Sequence, residues 1–185
     1  MTSPQLDLWR TIFEEPPDDI EHRVGALVLN WAGATGREGL EMARAYATAG
    51  SRLLDAACAA NDSWESVDPI LFCFRHALEL YLKALASGNG RRVHPLDELA
   101  GRLHRGLQGS YRPEQLNWLC DRVGEFSRVD SRSTSFRYHD SVEAGREAEL
   151  WIDFAHLRAV MAAIFDGLER VYRDSYLAAA RDNSP

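Results

Sequence analysis

Phe72-Cys73-Phe74-Arg75-His76-Ala77-Leu78-Glu79-Leu80-Tyr81-Leu82-Lys83-Ala84-Leu85 decides the fold. The stretch predicts one helix, apolar around most of its circumference, and such a helix is buried on nearly every side. Four polar residues interrupt it: Arg75, His76, Glu79 and Lys83. At ~100° per residue they fall within about a third of the circumference. A core helix therefore carries one narrow ionic stripe. Buried charge is costly unless paired, so the stripe needs partners elsewhere in the fold or a ligand.

Working outward, Asp68-Pro69 opens this helix and Ser87-Gly88-Asn89-Gly90 stops it. Upstream, a long helix is predicted from about Glu38 to Asn61, with Leu40, Ala43, Ala47, Leu53, Leu54, Ala57 and Cys58 as its apolar face. Before it, Asp18 or Asp19 can cap a helix from Ile20 to about Trp31. Residues 1–17 read as an N-terminal arm, and residues 18–185 as a single helical domain. Downstream, His94-Pro95-Leu96 begins a helix to about Leu107, and Arg112-Pro113-Glu114 one to about Val129. Residues 130–145 are polar and irregular. From about Glu147 to Ala180 the pattern is helical again, with Trp151, Phe154, Leu157, Val160, Ile164, Leu168 and Tyr172 at spacings of three and four. No stretch alternates like a strand. The expected fold is an all-α bundle of roughly five to seven helices.

Composition bounds the function. The 185 residues suffice for one hydrophobic core, and 45% hydrophobic with 26% charged residues is ordinary for a globular protein. The net charge of -7 disfavours duplex DNA as a partner, because that binding rests on Lys and Arg neutralising phosphates. Cys58, Cys73 and Cys120 have no CxxC spacing and sit in apolar helical contexts, which reads as buried free thiols in a reducing cytoplasm. No run of ~18 apolar residues spans a membrane. The histidines do not cluster with the cysteines, so no metal site and no cofactor is expected.

Three stretches resemble the HEPN (higher eukaryotes and prokaryotes nucleotide-binding) family of helical domains. They are Arg75 to Leu85, then His94-Pro95-Leu96-Asp97-Glu98-Leu99, then Asp130-Ser131-Arg132-Ser133-Thr134-Ser135-Phe136-Arg137-Tyr138. The resemblance covers roughly residues 65–175 and implies a HEPN-like bundle that assembles as a homodimer. It also implies action on RNA, as a metal-independent ribonuclease of a toxin or phage-defence system or as an RNA binder. The family's Arg-x4–6-His motif falls on Arg132 and His139, which have six residues between them. A histidine near neutral pKa can exchange protons with a ribose 2'-hydroxyl, and an arginine can clamp the scissile phosphate.

The ionic stripe leaves two readings open. In one, Arg75, His76, Lys83 and Arg137 surround a cleft that binds a phosphate or nucleotide. In the other they serve the fold, with Glu79 in a structural ion pair to Arg75, Lys83 or Arg137. His94 reads as a cap or packing residue, and His156, one turn from Asp153, as a satisfied bundle histidine. The rival to an RNA function is a non-catalytic interaction module that binds a partner protein such as a nucleotidyltransferase.

Overall fold

The computed structural model describes residues 39–60, 65–86, 95–130, 133–138 and 150–182. The N-terminal arm, the helix expected over 20–31, the glycine turn at 88–90, His94, Arg132 and His139 lie outside the described residues. Among the described residues the fold is all-α, with α1 Gly39–Ala60, α2 Val67–Leu85, α3 Leu96–Leu107, α4 Pro113–Val129, α5 Ser135–Tyr138 and α6 Phe154–Asp182. No described helix is long and apolar enough to cross a membrane.

Helix α2 is the centre of the bundle. Ile70, Phe74, Ala77, Leu78, Tyr81 and Leu82 are all buried, so its apolar positions face neighbours on most sides. It packs against α1, α3, α5 and α6, while α3 pairs with α4. Helix α1 meets it along Leu40, Ala43, Ala47, Leu54 and Ala57. These spacings of three, four and seven keep one stripe in line. Leu53 and Cys58, expected on that face, each sit one residue off the stripe, which turns them ~100° away. Leu53 is 37% exposed, and Cys58 is exposed rather than buried. Cys73 and Cys120 are half-buried free thiols.

Gly50 is a point of close approach between α1 and α2. A Cβ there would stand 2.7 Å from two ring atoms of Phe74. Only glycine lets the helices sit at this distance.

Helix α6 starts later than its periodicity suggests. The Asp153 carboxylate accepts the His156 backbone N–H at 2.9 Å, and the Asp153 carbonyl accepts the N–H of Leu157 at 2.8 Å. Asp153 is thus the N-cap, and the residues before it are outside the helix. The buried face of α6 is Met161, Ile164, Leu168 and Val171. Trp151 precedes the cap and is 89% exposed.

Candidate functional site

The ionic stripe of α2 is built around Arg75, whose relative exposure is only 1%. Its Nη1 donates to Glu79 Oε2 at 3.1 Å, one turn along the same helix. Its Nε lies 3.1 Å from both the backbone carbonyl and the Oδ2 of Asp130, the residue that ends α4. Lys83 Nζ donates to the other oxygen of Glu79 at 2.7 Å. Two cations therefore share two carboxylates, and each carboxylate is itself buried. This pairing is what allows charge inside the bundle.

Asp130 does a second job. Its Oδ1 accepts the backbone N–H of Thr134 at 2.8 Å and of Ser135 at 3.1 Å. Those are orphan donors at the start of α5, so the same side chain caps that helix. Between cap and helix, Ser133 takes a left-handed conformation with φ of 61°. A non-glycine residue held there marks a turn fixed by its surroundings. The Ser133 carbonyl accepts Arg137 Nε at 2.6 Å, and Phe136 is buried.

Beside this hub lies an aromatic and cationic cluster. The His76 ring stacks parallel to Phe72 with centroids 5.8 Å apart, and meets Tyr46 edge-on at 4.4 Å. The Arg137 guanidinium lies 5.8 Å from the Phe72 centroid, within reach of a cation–π contact. Tyr46, Phe72 and His76 are half-buried and Arg137 is exposed. Burial pushes the His76 imidazole below its ordinary pKa. Glu79 opposes that shift, while Arg137, Arg75 and Lys83 add to it. A neutral imidazole can accept a proton or a hydrogen bond at neutral pH.

The four residues read as phosphate- or nucleotide-binding thus divide. Arg75 is enclosed and held by Asp130 and Glu79, with no face open to a phosphate. Lys83 is partly exposed at 16% and engaged by Glu79. His76 and Arg137 meet at Phe72, on the accessible side of the cluster. Arg132 follows the Asp130 anchor by two residues, and His139 directly follows α5.

A third ionic group escaped the sequence reading. Glu169 of α6 receives both Nε and Nη2 of Arg44, each at 2.7 Å, and the Tyr81 hydroxyl at 2.7 Å. It staples α6 to α1 and α2 at once. Arg44 also lies over the Tyr172 ring, 5.5 Å from its centroid. The hydrogen bond from Arg44 holds the Glu169 carboxyl below its ordinary pKa, helped by the bond from Tyr81. Alternating partners on three helices leave no local spacing to find. Among the described residues no group of His, Cys, Asp and Glu is arranged to hold a metal ion.

Compared with known proteins, the chain matches no family model, no curated protein and no solved structure.

Proposed function

We propose that this chain is a HEPN-like helical protein that acts on single-stranded RNA through the segment 130–139, working as a homodimer in the cytoplasm. The observation that carries this reading is the Arg75–Asp130 contact. Two of the stretches on which the family resemblance rests meet there, through buried charges that would otherwise have no reason to lie in a core. The contact ties Asp130 to α2 while its other carboxylate oxygen caps α5, and Arg132 and His139 border this braced stretch in sequence. In the proposed chemistry His139 takes the proton of a ribose 2'-hydroxyl. The freed oxygen attacks the adjacent phosphorus, the bond from phosphorus to the 5'-oxygen breaks, and the protonated His139 imidazole returns its proton to the departing 5'-oxygen. Arg132 stabilises charge on the phosphate oxygens. The products are a 2',3'-cyclic phosphate and a 5'-hydroxyl. Arg137 of α5 and neutral His76, which both lie against the Phe72 ring, suit contacts to a neighbouring phosphate or base.

Single-stranded RNA incubated with pure protein in excess EDTA tests this. Cleavage with cyclic-phosphate ends, resistance of DNA, and loss of cleavage in His139→Ala and Arg132→Ala are expected. Inert wild-type protein, or an active His139→Ala variant, sinks the nuclease reading. The second reading, a non-catalytic module binding a partner protein, then leads. It is favoured by one observation: Arg75 and Lys83 are engaged by carboxylates of the fold.

A further inference from the structure

Helix α4 is paired with α3, and α6 with α1 and α2. The seam between α4 and α6 stays open as a groove of about 610 Å³, a volume in the range of small-molecule sites. Leu116, Leu119, Ile164 and Val171 give it an apolar floor. Trp118, 39% exposed, stands beside them. Gly167 of α6 also lines the groove, and a Cβ there would meet nothing within 4 Å. One end is marked by Tyr111, whose hydroxyl donates to Asp174 of α6. Arg112 follows Tyr111 directly, and Arg170 stands one turn before Asp174. Both line the groove. The Arg170 charge acts on the Tyr111 hydroxyl, which places it at the same end. Among the described residues neither guanidinium is taken up by an ion pair.

We propose that this groove binds a small amphipathic carboxylate, its chain along the apolar floor and its head between Arg112 and Arg170. A guanidinium offers a planar fork of donors that matches a carboxylate, and two of them at one end fix which way the ligand lies. The floor supplies affinity through the apolar surface it removes from water, and the few polar groups at the mouth supply orientation. Three carboxylates stand nearby. Asp174 already accepts the Tyr111 hydroxyl, so the end of the groove presents two cations against one occupied carboxylate. Glu114 and Asp166 border the groove as well and would favour a cationic head. Each is a single charge, whereas Arg112 and Arg170 meet at the Tyr111 end. None of the lining residues belongs to 75–85, 94–99 or 130–139, so the proposal stands apart from the RNA reading.

An NMR titration of the isotope-labelled full chain with decanoate, kept below its micelle-forming concentration, tests it. Amide shifts should concentrate on 111–119 and 163–171. Decanol and decylammonium carry the same chain with a neutral or cationic head, and each should bind at least about tenfold more weakly. Gly167→Leu places a side chain in the groove without a clash and removes a glycine from a helix interior, so the fold should hold. It should weaken decanoate binding more than about tenfold. Arg112→Gln combined with Arg170→Gln should weaken decanoate by about tenfold and leave decanol unchanged. Shifts that are absent or lie elsewhere, decylammonium binding as tightly as decanoate, or a Gly167→Leu protein that binds like wild type overturns the proposal. If Gly167→Leu loses its helical circular dichroism, the double arginine variant decides alone. RNA cleavage measured on the same samples reports separately on the nuclease reading.

Discussion

Arg75 and Asp130, 55 residues apart in sequence, lie 3.1 Å apart with almost no exposure to water. Removing one partner of a buried pair leaves an uncompensated charge. Asp130→Ala should therefore destabilise the protein by about 3–5 kcal/mol in urea denaturation. Asp130→Asn keeps an oxygen to accept the Thr134 and Ser135 N–H groups and should cost less. Equal losses for the two variants would show that capping and charge are not separable here.

Glu79 holds Arg75 and Lys83 at once. Glu79→Ala is expected to cost about 3 kcal/mol or more, since both cations lose a partner. Replacing Arg75 by Met in the same protein should recover part of that loss. Denaturant midpoints for the single and double variants check this, and a loss below about 0.5 kcal/mol would place the stripe at the surface.

Gly50→Ala puts a methyl group 2.7 Å from the Phe74 ring. Overpacking of this kind costs about 1–3 kcal/mol, against an intrinsic helix gain of up to about 1 kcal/mol. Net destabilisation is expected by thermal unfolding. Adding Phe74→Leu should soften it, because the clash is with the ring.

The Glu169 carboxyl sits below its ordinary value of 4.5 in the folded chain. The unfolded chain then binds the proton first as pH falls. Stabilisation by Glu169 is complete above about pH 4.5 and is lost as pH drops through the lowered folded value. Glu169→Gln should reduce stability near neutral pH by about 1 kcal/mol, a modest figure because Arg44 is 45% exposed. The difference between variant and wild type should shrink in acid.

His76 has the opposite charge chemistry but the same sign of dependence. Its folded pKa lies below the ordinary 6.5, so the unfolded chain takes up a proton that the folded chain refuses. Stability contributed by neutral His76 is present above about pH 6.5 and falls as pH drops towards the lowered folded value. His76→Phe keeps a ring between Tyr46 and Phe72 and should flatten that slope. An unchanged slope in pH-dependent unfolding would remove His76 as its source.

Helices α2, α3 and α4 were legible within a few residues because each boundary carries its own signal. Asp68-Pro69 and Arg112-Pro113 fix starts that packing then leaves alone. The start of α6 was misread because Trp151 stands three residues before Phe154 and mimics helical spacing. The Asp153 cap, a single side chain, overrides that rhythm. Helix α5 could not be read at all. Four residues carry no periodicity, and its position depends on a carboxylate at the end of another helix. The same division runs through the site. Arg75, Glu79 and Lys83 share a helix, so their spacing of four was visible in sequence. Asp130, which completes the hub, and Glu169, which meets Arg44 across 125 residues, come together only in the folded chain.

The two oxygens of Asp130 face different elements, one towards α2 and one towards α5. Neither bond can be given up without cost to the other, because a carboxylate that turns to follow one partner abandons the second. The stretch from Ser133 to Tyr138 is thereby geared to the bundle's central helix. Its amides should exchange hydrogen with solvent through the rare openings that also expose α2, not through private local fraying.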